Sequence, residues 1–261
     1  SVDNSAWCVV QPTSRTPVIL ISDDDPREPG TAAYYLLRAL APEAERTASP
    51  VDGAAGERVA VATPPAGTLF SPRHVAPGEL TSEVLRTAPV VLLGYVGDLP
   101  AETCRLLTDF VTSGGGLVIF AGEGAVDRHL LQLEETLGRG RLLPWQPGPR
   151  LTTLAAREPL HLSGGRWQSR WLRPFDEQSQ LALEEIQFHR TWRVAAVAPE
   201  TEVLLTFSDG TPALGVRSVG RGLVVLANFS PESTTSDLAR HGAFVALAQM
   251  LLQGAIPEAE S

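Results

Sequence analysis

The stretch from Ala88 to Ala125 constrains the fold more than any other. Pro89-Val90-Val91-Leu92-Leu93 reads as a buried strand, Gly94-Tyr95-Val96-Gly97-Asp98 as its exit, and Pro100 to Thr112 as an amphipathic helix. Gly114-Gly115-Gly116 stops that helix, and Leu117-Val118-Ile119-Phe120 forms a second apolar run that empties into Ala121-Gly122-Glu123-Gly124-Ala125. Two short branched runs joined by a helix and bounded by glycines are the pattern of a parallel βαβ unit covered on both faces. Sites on such sheets gather at the carboxyl ends of the strands, so the turn at Gly122-Glu123-Gly124 is the first place to look for chemistry.

The flanking chain extends the same plan. Pro17 to Ile21 is a buried strand that runs into Ser22-Asp23-Asp24-Asp25-Pro26, and Thr31 to Leu40 is a helix with Tyr34, Leu37 and Leu40 on one stripe. Ala41 to Gly56 reads as a loop, Arg58 to Ala62 as a strand, Thr63 to Gly78 as turns, and Glu79 to Arg86 as a short helix. Beyond the central unit, Asp127 to Leu137 is a helix stopped by Gly138-Arg139-Gly140. Periodicity then fades from Leu142 to Ser179. Order returns as ribbon: Ile186 to Ala196, Val203 to Phe207, Thr211 to Val219 and Leu223 to Ala227, turned at Ser208-Asp209-Gly210 and Gly220-Arg221-Gly222. The last of these strands is the most apolar and is expected to re-enter the central sheet. A closing helix from Asp237 to Leu252 packs Phe244, Leu247 and Leu251 inward, and Ile256 to Ser261 should fray. The expectation is one α/β domain over 1–261: a flavodoxin-like three-layer sandwich with a mostly parallel sheet, an N-terminal arm at 1–16 and a less regular antiparallel excursion at 142–222.

Composition narrows the function. A net charge of −9 disfavours nucleic acid and anionic membrane, which both need clustered cations. All 21 basic residues are Arg, so Schiff-base lysines, lysine phosphate loops and Ser-Lys dyads are excluded. Cys8 and Cys104 suit neither a disulfide framework nor a zinc pattern, and Cys104 shares an inward helix face with Leu107 and Val111. No stretch reaches the length of a spanning helix, so direct membrane insertion by this segment is not expected.

Three places carry candidate chemistry. Asp23 and Asp24, after the first strand, sit where phosphorelay receivers bind magnesium. The receiver's phosphoacceptor place here holds Gly94-Tyr95 and its Lys is missing, which leaves the two aspartates as weak metal candidates in a solvated loop. Gly122-Glu123-Gly124 has the small-x-small form of a nucleophile elbow with no nucleophile at its apex. Arg166, Trp167, Arg170, Trp171 and Trp192 form a basic-aromatic cluster, readable as a binding face for an acidic or glycan partner or as Arg stems covering Trp. The histidines, His74, His129, His161, His189 and His241, have no ligand spacing, and no cofactor is expected.

The order of strand, elbow turn, helix, late ribbon and a last strand ending in Phe229-Ser230-Pro231-Glu232 resembles class I glutamine amidotransferases. That family carries a G-x-C-x-G elbow and a closing F-H-P-E motif. Set on this chain, the Cys place falls at Gly122 or Glu123, the His place at Ser230, and only Glu232 matches. The resemblance therefore implies the fold and denies the thiolate-imidazole chemistry. Ile21 to Pro26, Asp109 to Leu117, Phe207 to Leu214 and Val219-Gly220-Arg221-Gly222 are similar to blocks in large Bat-type, aerotolerance-operon-like bacterial membrane proteins. Those join a membrane anchor and a von Willebrand factor A domain to an amidotransferase-like domain outside the membrane. The resemblance implies a non-catalytic module that binds a protein or small ligand, partnered by other domains of a longer membrane-anchored chain. It places the domain extracytoplasmically, with the cytoplasm as the alternative. The competing expectation is a hydrolase or lyase using the Glu123 and Glu232 carboxylates, with a metal as an option.

Overall fold

The computed structural model describes residues 15–41, 69–96, 99–121, 142–152 and 158–257, with the backbone alone at 147–152. The expected strand at Arg58 to Ala62, the helix at Asp127 to Leu137, the elbow at Gly122 and Glu123, and most of the N-terminal arm lie outside the described residues.

The central unit forms as expected: β3 (Val90–Leu93), α3 (Ala101–Thr112) and β4 (Gly116–Phe120), with both strands wholly buried. Preceding them are β1 (Thr16–Ile21), α1 (Ala32–Leu40), β2 (Phe70–Val75) and α2 (Ser82–Leu85). Following are β5 (Trp145–Thr152), β6 (Leu162–Gly165), α4 (Glu177–Glu184), β7 (Arg190–Val197), β8 (Glu202–Phe207), β9 (Pro212–Val219), β10 (Gly222–Ala227) and α5 (Ala243–Ala255).

Among the described residues one sheet runs in the order β2-β1-β3-β4-β10-β9-β8-β6, and β5 pairs only with β7. The strands β2, β1, β3, β4 and β10 are mutually parallel, while β9, β8 and β6 return antiparallel. The strand-helix-strand start that steps outward to β2 and then back across β1 to β3 is the flavodoxin-like order, an α/β sandwich with its switch point between β1 and β3. The re-entry of β10 beside β4 follows from its composition: Leu223 to Ala227 can satisfy two buried faces only inside a sheet covered on both sides.

Two cores flank the sheet. One holds α1, α4 and α5 with Phe120, Phe188, Phe207 and Phe229, whose rings meet at 5.1–6.4 Å. The other holds α2, α3 and the β5–β7 ribbon, with fully buried Cys104, Leu107 and Val111 facing in and Trp145 laid flat on Gly215. The tight helix-strand approach of the central unit depends on absent side chains. A Cβ at Gly116 would run into the Ala255 carbonyl and one at Gly222 into the Val111 carbonyl.

Several elements differ from expectation. The turn-rich reading of Thr63 to Gly78 is overturned at Phe70–Val75, where β2 pairs parallel with β1. Pro72 interrupts the apolar pattern there, and β2 tolerates it because it stands at the sheet edge. On α1 the buried residues are Ala32, Ala33, Leu36, Ala39 and Leu40; of the expected Tyr34-Leu37-Leu40 stripe only Leu40 is fully buried. Small alanines let the helix sit close to the sheet, and Tyr34 stays outside with the Arg38 guanidinium 3.3 Å above its ring. The helix near Glu79 to Arg86 breaks into a 3-10 turn at Pro77–Glu79 and α2. Within Leu142 to Ser179, β5 and β6 form and α4 begins behind an Asp176 cap; bulges in β5 and Gly164-Gly165 in β6 erase the period-2 signal. The ribbon strand starts at Arg190 rather than Ile186. The closing helix starts at Ala243 after a 3-10 turn at Leu238–Arg240, which places His241 before the helix instead of in its first turn.

Candidate functional site

At the switch point the exits of β1 and β3 are stitched together. Gly94 N–H donates to the Ile21 carbonyl (3.0 Å) and Asp23 N–H to the Tyr95 carbonyl (2.9 Å). The fully buried Ser22 donates its hydroxyl to the same Tyr95 carbonyl (2.8 Å) and accepts from Asp24 N–H (3.2 Å). From β2, His74 Nε2 donates to the Ser22 carbonyl at 3.0 Å. The crevice where open α/β sheets hold ligands is here bridged by backbone and short side chains.

Asp24 is half-buried at the start of α1, where its Oδ2 accepts from Ala33 N–H (3.4 Å). Burial raises its carboxyl above the ordinary aspartate range; the Ala33 and Ala32 N–H groups pull it down, and Glu28 and Asp23 push it further up. Asp23 is exposed, so the two metal candidates do not share one environment. Among the described residues no three His, Cys, Asp or Glu side chains converge as a metal cluster.

Across the same edge, β10 leaves through Asn228-Phe229-Ser230-Pro231-Glu232. Ser230 is fully buried, and its hydroxyl accepts from Glu232 N–H at 3.2 Å. The Ser230 carbonyl accepts the hydroxyls of Thr235 (3.1 Å) and Ser236 (2.6 Å), which winds the segment into a compact knot. Glu232 is 7% exposed. Ser233 N–H donates to the Gly30 carbonyl (3.2 Å), so this knot rests on the loop that leads into α1. Sequence reasoning placed Ser230 and Glu232 on one exit correctly but gave no sign of the knot. The Ser-Thr-Thr-Ser run at 233–236 is the signal that could have found it, because hydroxyls at such spacing bond nearby backbone.

Asn228, which the sequence reading passed over, is 1% exposed and ties three segments. It accepts from Trp192 N–H (3.0 Å) and donates to the Trp192 carbonyl (2.8 Å) and the Pro212 carbonyl (3.0 Å). An amide at the end of an otherwise apolar strand is the visible clue.

The basic-aromatic cluster does not form one face, which corrects the expectation. Trp171 (2% exposed) packs with α5 on one side of the sheet, and Trp192 (5% exposed) belongs to the core on the other side. Arg170 stacks at 5.3 Å over the Trp171 ring, the covering role expected of Arg stems. What stays at the surface is Arg166, paired with Glu202 at 3.4 Å, Arg170, and half-buried Trp167. The Trp167 indole lies across Gly165, where a Cβ would stand 2.6 Å from the ring. At the other end of the sheet, a groove of about 630 Å³ opens between α2 and α3 beside Pro89, Leu106 and Phe110.

The fold is a flavodoxin-like α/β sandwich in which, among the described residues, the exits of β1, β3 and β10 are tied by hydrogen bonds. No family model and no curated protein sequence matches the chain. Solved structures do match. A cytoplasmic protein from Salmonella typhimurium LT2 is 14% identical with a TM-score of 0.60, over 93% of this chain and 100% of that one. A second cytoplasmic protein from Salmonella typhimurium is 12% identical with a TM-score of 0.57, again over 93% and 100%. A ThuA-like protein from Bacteroides uniformis is 12% identical with a TM-score of 0.49, over 98% and 94%. At these identities the likeness is one of fold alone. Among the described residues no helix is long and apolar enough to cross a membrane.

Proposed function

We infer that this chain is an amidotransferase-like domain without amidotransferase chemistry, serving as a binding module for a partner protein or small ligand in a bacterial membrane-associated assembly. The observation that carries the reading is Ser230. It stands where the resemblance puts the catalytic imidazole, yet it is sealed from solvent and its hydroxyl is committed to Glu232 N–H. A hydroxyl in that place cannot take a proton from a nucleophile at neutral pH, and a buried one meets no substrate. The linked exits of β1 and β3 support the same reading, since they commit to each other polar groups that a substrate at the switch point would otherwise meet.

The binding face in this proposal shrinks to Arg166, Trp167 and Arg170 along the β6 edge. Half-buried Trp167, with exposed Arg166 and Arg170 beside it in sequence, suits an acidic partner surface, with the indole as anchor. The membrane-anchored parent chain and the extracytoplasmic placement are part of the proposal and rest on the sequence blocks alone.

The test is turnover. The full chain and its Glu232→Gln variant are assayed for ammonia release from glutamine and for hydrolysis of simple aryl esters. The reading expects both to match the rate without protein. Turnover by the parent chain that disappears in Glu232→Gln would instead establish the carboxylate hydrolase, the competing reading in which Glu123 and Glu232 act together.

A further inference from the structure

We propose that a small oxyanion, a carboxylate or a phosphate, binds between α3 and β9 on the face of the sheet that carries the β5–β7 ribbon, held by Arg217 and Thr108. This goes beyond the binding role inferred above and concerns a different place: the amino half of the parallel sheet, away from the loops around Ser22 and Ser230.

Arg217 lies on β9 opposite Val224 of β10. It shares one face of β9 with Gly215, which touches Trp145, and with Val219, which packs into the same core, so its side chain stands on the ribbon side of the sheet. Two of its guanidinium nitrogens, Nε and Nη1, are buried and meet no hydrogen-bond partner among the described residues. Guanidinium keeps its charge at any pH a folded protein meets, so it cannot escape this cost by losing a proton. Arg217 as a whole is half-buried, but buried guanidinium donors with no acceptor are costly, and an anion is their direct complement.

Helix geometry puts Thr108 on the flank of α3 that is turned toward the β9–β10 hairpin. The C-terminal end of α3 rests on the β9–β10 turn: a Cβ at Gly220 would stand 2.7 Å from the Thr112 carbonyl oxygen, and one at Gly222 would meet the Val111 carbonyl. On α3, Cys104, Leu107 and Val111 point into the core, while Leu106 and Phe110 flank the groove beside Pro89 and β3. Thr108, one turn before Thr112, therefore occupies the opposite flank, toward β9. Its hydroxyl is also buried and meets no hydrogen-bond partner among the described residues. A hydroxyl donor and a guanidinium on facing flanks of α3 and β9 are the donor set that oxyanions select. Glu202, the carboxylate on neighbouring β8 nearest in register, pairs with Arg166 instead.

The experiment uses the full chain in anion-poor buffer and follows its thermal midpoint while phosphate or acetate is added, with chloride at matched ionic strength as the reference. The expected result is a saturable rise with phosphate or acetate, about 5 °C at a hundredfold excess over Kd, and none with chloride. Whichever oxyanion binds at the lower concentration identifies the chemistry. Arg217→Met should abolish the rise while matching or exceeding the parent midpoint without oxyanion, because it removes buried unsatisfied donors. Thr108→Val should keep the rise but weaken binding about tenfold. Should Arg217→Met fail to fold, Thr108→Val and the parent titration decide the matter. No saturable rise in the parent chain overturns the proposal, and so does an equal rise in the parent and Arg217→Met.

Discussion

Replacing Asn228 by Ala should detach the β5–β7 ribbon from the sheet edge at a cost that the contacts allow to be worked out. The side chain satisfies three backbone groups: Trp192 N–H (3.0 Å), the Trp192 carbonyl (2.8 Å) and the Pro212 carbonyl (3.0 Å). Each is left without its partner in the variant, and an orphaned buried polar group costs about 1–3 kcal/mol. Pro212 is half-exposed, so water can replace part of that loss at one of the three. A total of about 3–4 kcal/mol follows, which for a chain of this size lowers the thermal midpoint by roughly 8–14 °C. Urea unfolding followed by tryptophan emission reads it, since Trp192 and Trp145 both lie in the core beneath the ribbon. Asn228→Asp should lose as much or more, because a carboxylate would face two carbonyl oxygens in place of two donated hydrogen bonds. A loss below about 1 kcal/mol in Asn228→Ala would refute the reasoning and show that apolar packing alone holds the ribbon.

The remaining predictions address other links between sequence and structure. Trp171→Ala should cost about 3–5 kcal/mol, because the ring fills the space above Gly254, whereas Arg166→Ala, which removes only an exposed pair with Glu202, should stay within about 0.5 kcal/mol; chemical denaturation separates the two. Gly116→Ala should be strongly destabilising, since its Cβ meets the Ala255 backbone and no rotamer can relieve it; poor soluble yield or a large fall in midpoint is the readout. Asp24 has its carboxyl raised by burial, so the folded state binds that proton more tightly than the unfolded one. Its contribution is most favourable below the ordinary aspartate pKa and is lost as pH climbs through the folded value. Asp24→Asn should therefore be the more stable protein at neutral pH, with the gap closing on acidification; denaturation at several pH values checks the sign.

Much of the fold was legible because the strongest signals were local and redundant. The βαβ unit at 88–120 combines two branched runs, an amphipathic helix and a glycine stop, and each points to the same structure. Edge and ribbon elements were not legible for the opposite reason. An edge strand such as Phe70–Val75 needs only one neighbour and can carry Pro72, so its composition looks like a turn. The bulged β5 and the Gly164-Gly165 pair of β6 break the alternation by which strands are found. At the candidate site, the places of Ser230 and Glu232 could be read from the motif order. Their burial could not, because it arises from hydroxyl-to-backbone bonds of Thr235 and Ser236 that leave no periodic trace. The tryptophans misled for a related reason: Trp171 and Trp192 sit among arginines in sequence, but α5 and the ribbon bury them on opposite faces of one sheet.

The proposed non-catalytic role requires that the described serines of the carboxyl edge not be activated nucleophiles, and the most direct measurement asks this without choosing a substrate. The folded chain is exposed to a fluorophosphonate probe and a mild acylating ester, then mapped by peptide mass spectrometry. The account predicts that Ser22, Ser230 and Ser233 stay unlabelled in the native protein, like serines in unfolded chain. Stoichiometric labelling of any of them that is lost on denaturation would contradict it.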